Sequence, residues 1–182
     1  MRNLMPALVA LLFTLNGLAQ TPVVLKDAGP VVLKDSGLKK LNVFIGTWKA
    51  ENDPGPAGGP GVSAVSTCRW SANGKFMIAD QLVTNGGQTT NNLSIYSYNP
   101  DKDEYTLSLV GVPGREPFSI PVTYKGDEFY YLGSYTNDEG KKIYTRTVNT
   151  FTSAGSYTFK VQSSDDGEHW VTSISGKSTK IH

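Results

Sequence analysis

The stretch Phe118-Ser119-Ile120-Pro121-Val122-Thr123-Tyr124-Lys125-Gly126-Asp127-Glu128-Phe129-Tyr130-Tyr131-Leu132-Gly133-Ser134-Tyr135 decides the fold. In its first half Phe118, Ile120, Val122 and Tyr124 share one face and Ser119 and Thr123 the other, the period-two alternation of a half-buried strand. Lys125-Gly126-Asp127 is too short a break to hold the crossover that parallel strands need, so the chain turns back on itself in an antiparallel hairpin. The second half, 128–135, puts Phe129 and Tyr131 on one face and Tyr130 and Leu132 on the other. That strand either lies beneath another element or presents aromatic side chains outward.

The same rhythm runs outward in both directions. Strands are expected at 62–70, 75–83, 93–98, 105–111, 118–124, 128–135, 141–151, 157–163 and 169–177, with 46–51 before them. Ala72-Asn73-Gly74, Asn99-Pro100-Asp101, Asn137-Asp138-Glu139-Gly140 and Asp165-Asp166-Gly167 are further hairpin breaks. Tyr157, Phe159 and Val161 oppose Thr158, Lys160 and Gln162, again one apolar and one wet face. About ten antiparallel strands in sequence order protect their edges best by closing, so the expected fold is all-β, an antiparallel up-and-down barrel of about eight to ten strands. Ser36 stands as an N-cap before Leu38, Leu41 and Ile45 at helical spacing, which predicts a short N-terminal helix ahead of the first strand. Residues 52–61 form a Pro- and Gly-rich loop.

The N-terminus reads differently. Arg2, an apolar run over 4–15 and Gly17-Leu18-Ala19 have the three-part pattern of a secretory signal peptide at 1–19. The apolar run is shorter than the roughly 20 residues a membrane-spanning helix needs, and no second such stretch follows. The expectation is a secreted or periplasmic protein with no integral membrane segment once the signal is removed. Removal leaves 163 of the 182 residues and takes away Arg2, balancing 16 basic against 16 acidic side chains. Such a chain has no sequence-wide field to recruit nucleic acid. Its composition excludes disorder, coiled coil and a disulfide scaffold, because Cys68 is the only cysteine. Cys68 is expected to be buried and inert. At 20–37 the chain duplicates itself, Pro22-Val23-Val24-Leu25-Lys26-Asp27-Ala28-Gly29 being followed by Pro30-Val31-Val32-Leu33-Lys34-Asp35-Ser36-Gly37. We read this as a linker, and as a candidate cover for the strand at 128–135. The barrel domain is expected over 38–182.

Leu38, Leu41, Phe44-Ile45-Gly46-Thr47-Trp48 resembles the opening of the calycin superfamily, the lipocalin-like and fatty-acid-binding barrels. Gly74-x-Phe76 in an early strand, Tyr96-x-Tyr98 before an Asn-Pro-Asp turn and Ser-x-Asp-x-Gly near the end extend the likeness to a bacterial exported lipocalin-like family of unknown function. The resemblance implies that Trp48 plugs the closed end of the barrel and that Gly46 lets the chain pass tightly over it. Three departures stand out. Residues 53–61 cannot form the two lid helices of fatty-acid-binding proteins. The arginine that lipocalins pack over the Trp has no match, Lys177 and Lys180 being the nearby cations. The late-strand histidine of haem-binding relatives is missing, since His169 falls at a turn exit and His182 is the last residue.

The remaining constellations read mostly as structure. Ser163 to Trp170 fits an Asp-box, in which Asp165 accepts turn N–H groups, Gly167 takes positive φ and Trp170 packs beneath the hairpin. Asn99 to Glu104 spaces oxygens as a calcium loop does, but Val110 stands where the bidentate Glu belongs. Two poorly placed histidines and one cysteine give no catalytic triad and no zinc set, so no catalytic residue, metal or cofactor is expected. Asp80 depends on register. A two-residue Asn73-Gly74 loop pairs Thr67 with Asp80 and exposes it, whereas a three-residue loop pairs Ser66 with Asp80 and turns it inward beside Ile78. The inward register matches the apolar faces better. The expected function is therefore the binding of a small apolar or amphipathic molecule inside the barrel, with Trp70, Asp80, Tyr131 and Arg146 as wall residues. The alternative is a filled barrel serving as a non-enzymatic interaction module through Tyr130 and Leu132.

Overall fold

The computed structural model describes residues 36–53, 62–111 and 116–182. The signal reading and the linker reading as far as residue 35 lie outside these residues, while Ser36 and Gly37, counted in the linker, belong to the first helix. A short helix, α1 (Ser36–Lys40), runs into a three-ten turn (Leu41–Phe44) and then ten strands follow: β1 (Gly46–Asn52), β2 (Ser63–Trp70), β3 (Met77–Asn85), β4 (Gln88–Asn99), β5 (Glu104–Val110), β6 (Phe118–Lys125), β7 (Glu128–Thr136), β8 (Lys142–Ser153), β9 (Ser156–Ser164) and β10 (Val171–Lys180). Each pairs antiparallel with its neighbour in sequence, and β1 pairs with β10, so the sheet closes on itself as the alternation predicts. Closure leaves the ring without a terminal edge strand.

Turn chemistry sets the registers. Gly86 and Gly87, both at positive φ, make the two-residue loop that pairs Asn85 with Gln88, a hairpin the sequence reading passed over by starting β4 at residue 93. Between β2 and β3 the loop is longer than either length expected. The Ser71 N–H donates to the Phe76 carbonyl at 2.8 Å, the Asn73 side chain accepts from the Lys75 N–H at 3.0 Å, and Gly74 takes positive φ between them. This turn pairs Trp70 with Met77 and Thr67 with Asp80. Asp80 is therefore exposed, which corrects the inward expectation, and Gly74 and Phe76 belong to the turn rather than to an early strand.

One end of the barrel is packed solid. The three-ten turn drives Leu41 and Phe44 into it, and Phe44 meets Phe129 and Phe151 edge-on at 4.8 and 5.1 Å between ring centres. Trp48, 2 % exposed, donates its indole N–H to the Phe44 carbonyl at 2.7 Å and packs on Tyr157 at 5.2 Å. Gly46 sits at φ 119°, and a Cβ there would lie 2.5 Å from the His182 carbonyl oxygen, so the tight passage over the Trp needs glycine. Lys180 holds its ammonium 5.7 Å from the Trp48 ring centre, a cation on the plug supplied by lysine.

Candidate functional site

Above that plug the barrel is hollow. A cavity of about 550 Å³ fills the half away from α1, with Tyr96, Tyr131, Tyr157 and Leu107 as its floor. Its size falls in the range of small-molecule sites and leaves room for about 18 waters at roughly 30 Å³ each. Apolar walls come from Val83, Leu109, Phe118, Ile120, Phe159 and Val161, and a band of amides and hydroxyls from Gln81, Asn92, Ser94, Thr147 and Asn149. Among the described residues that line it, none is charged. A smaller annex of about 110 Å³ lies toward the plug, bounded by Ser66, Cys68 and Ala79 and sharing Gln81, Ser94, Tyr96, Asn149 and Tyr157 with the main space.

The polar band is only partly satisfied. The Tyr96 hydroxyl donates to the Tyr131 hydroxyl at 3.3 Å, and the Asn149 amide reaches the same oxygen at 3.4 Å. Gln81 donates to the Ser66 hydroxyl at 3.0 Å. Asn92 is 4 % exposed and its Oδ1 accepts no hydrogen bond within the protein. A buried amide oxygen in that state costs free energy. Burial pushes the Tyr96 and Tyr131 phenols well above their ordinary range, so both are neutral donors throughout the physiological range. Burial likewise pushes the Cys68 thiol up to about 12, leaving it protonated and unreactive, as its setting in the sequence suggests.

Of the four wall residues expected from sequence, the fold brings Tyr131 alone into the lining of the cavity. Trp70 sits at the plugged end, half-buried, with its indole N–H on the Asn42 side-chain oxygen at 2.9 Å. Asp80 faces solvent. Arg146 is on the outer face: its Nε donates to Gln162 at 2.7 Å and its guanidinium stacks 4.1 Å from the Trp170 ring centre. Alternation explains the last of these, because Thr147 and Asn149 line the cavity and Arg146 lies between Thr145 and Thr147 with the opposite orientation. The surface residues Tyr130 and Leu132 do point outward; the Tyr130 hydroxyl donates to Glu128, and Leu132 stands at the rim of the cavity.

The Asp-box turn forms with a shifted carboxylate. Asp166, not Asp165, accepts the Glu168 and His169 N–H groups at 2.8 Å each, while Asp165 faces the Lys141 ammonium. Ser164 braces the turn by accepting from the Gly167 N–H and donating to Asp166. The His169 N–H and ring hold the Asp166 carboxyl well below the usual carboxylate range. Gly167 takes positive φ as expected, and Trp170 supports Arg146. At the 99–104 turn, Asn99 accepts from the Asp101 N–H and Asp103 from the Tyr98 hydroxyl, so those oxygens bind their own hairpin. No group of three or more His, Cys, Asp or Glu side chains is placed to hold a metal ion among the described residues, and no helix there is long and apolar enough to cross a membrane.

The residues that sequence reasoning missed are Gln81, Asn92, Ser94 and Asn149. Their polarity disguised their inward direction. No family model matches the chain, and no curated protein matches it in sequence. The closed ten-strand up-and-down barrel is consistent with a lipocalin-like fold.

Proposed function

We propose that this protein binds one small, uncharged, amphipathic molecule in the hollow half of its barrel. The observation that carries the reading is a cavity of about 550 Å³ without a charged side chain in its described lining, with amides and hydroxyls set among its apolar walls. Placing an ionised ligand there would strip its water with no counter-charge in return, a cost of several kcal/mol. A neutral molecule with a hydroxyl or amide meets the polar band and the floor tyrosines while its apolar part contacts Leu109, Ile120 and Phe159. Tyr131 is the wall residue retained from the sequence. The Gly46-x-Trp48 opening and the closed barrel support kinship with the lipocalin-like proteins, and the pattern at 1–19 supports export to the periplasm or beyond.

Native mass spectrometry of the protein purified after export tests the reading. Extra mass that is lost on denaturation, of a few hundred daltons as expected for about 18 water volumes, supports it. A bare chain that also takes up no Nile red, an uncharged dye of suitable size, contradicts it.

A further inference from the structure

The wall of the barrel is interrupted on one side. β6 and β7 pair only from Val122 with Tyr131 to Lys125 with Glu128. In the same register Pro121 would face Leu132, Ile120 would face Gly133 and Ser119 would face Ser134, yet none of these pairs forms. Both strands nevertheless persist there, because β5 holds Phe118 to Pro121 from one side and β8 holds Leu132 to Thr136 from the other. Three such positions at about 3.3 Å each make a slit about 10 Å long. Pro121, which has no N–H to donate, occupies the first position at which pairing stops, and Gly133 lies just beyond it on the facing strand.

Residues on both lips of this slit line the cavity. β1, β3, β4, β5, β8 and β9 contribute only alternate residues to the lining, as inward faces must. β6 contributes Phe118, Ser119, Ile120 and Pro121 in succession, and β7 contributes Tyr131, Leu132, Gly133 and Ser134. Where β2 begins, Val62, Ser63 and Ala64 also follow one another in the lining, but on β6 and β7 the successive residues coincide with the stretch in which the two strands do not pair. The lips of the slit are uncharged, and Leu132 offers 36 % of its surface to solvent there.

We propose that the slit between β6 and β7 is the entrance through which the ligand passes sideways into the barrel, with Pro121 holding it open and its apolar, neutral lips selecting uncharged molecules. This rests on the cavity being a binding site. Ser119 and Ser134 are both exposed and lie on opposite lips of the slit, at positions the β6–β7 register would pair if it continued, so a Ser119→Cys, Ser134→Cys variant can be stapled with a short reagent that forms a disulfide with each thiol and is released by reductant. Buried Cys68 stays out of that reaction. Nile red uptake is then followed by stopped-flow fluorescence on the same preparation, stapled and after release. The expected result is an association rate at least about tenfold lower when stapled, a dissociation rate reduced in step, and recovery of both on reduction. Equal rates in the two forms, with Nile red still bound, overturn the entrance and leave the cavity reading intact. A wild-type protein that takes up no Nile red overturns both. Should stapling disturb the fold, a bulky adduct on Ser134→Cys alone gives the same comparison.

Discussion

The two halves of this barrel are built from the same ten strands and yet obey different rules. At the α1 end the inward positions include Phe44, Trp48, Met77, Phe129 and Phe151, an aromatic cluster bordered only by the small annex. At the other end the same strands turn Ala64, Gln81, Asn92, Ser94 and Gly133 toward the axis, and the space they leave is the cavity. The difference teaches that dense packing and open space have been separated along the barrel axis. Packing at one end supports a stretch at the other where small and polar side chains are retained at a cost in stability.

That division predicts opposite responses to substitution. Trp48→Ala removes the plug, its hydrogen bond to Phe44 and its ring contacts, and should destabilise the protein by about 3–5 kcal/mol in urea unfolding. A loss below about 1 kcal/mol would mean that the plugged end is not the anchor. In the hollow half Asn92→Leu should have the opposite sign, raising stability by about 1 kcal/mol as the partnerless amide oxygen disappears. A destabilised variant would mean that the Asn92 amide supports the fold.

Alkaline pH acts on the boundary between the halves. Cys68 keeps its proton in the folded barrel up to about 12, whereas in the unfolded chain it loses it near its ordinary 9.0. Its contribution to stability is therefore complete below the ordinary value and is lost as pH rises toward the folded one. The urea midpoint should fall between about pH 8 and about pH 10, and less steeply in Cys68→Ser, with Tyr96, Tyr131 and Tyr157 sustaining the remaining slope. The smallest effect belongs outside both halves. Asp166→Asn should speed hydrogen exchange at the Glu168 and His169 amides it accepts and leave Nile red binding unchanged. Altered binding would connect that turn to the cavity.

Much of the architecture was legible in the sequence because hairpins announce themselves locally. Alternation from Phe118 to Tyr135 and the Gly-Asp break within it place β6 and β7 within one residue of their observed ends. The cavity was hidden by the same rule that revealed the strands. In β3 and β4 the bulkier apolar residues Ile78, Leu82, Leu93 and Ile95 stand outside, while Ala79, Gln81, Asn92 and Ser94 stand inside. A reading that assigns apolar residues to the interior therefore inverts these two strands, and with them Asp80. A turn one hydrogen-bonded pair longer than expected, closed by Ser71 and Asn73, fixed the register that hydrophobic patterning had pointed away from. Gly46 and Trp48 escaped this confusion, because the filled half follows the ordinary rule.

The central claim is that the hollow half receives a neutral molecule, and matched ligands test it most directly. Dodecanol and dodecanoate share a chain and differ in the charge of the head group; each is titrated against bound Nile red above the acid's pKa and below its aggregation limit. With no charged side chain in the described lining, the alcohol should displace the dye at a concentration at least about tenfold lower than the acid, a difference of about 1.4 kcal/mol. Equal or tighter binding of dodecanoate would contradict the account, because it would require a counter-charge inside a barrel whose described lining has none.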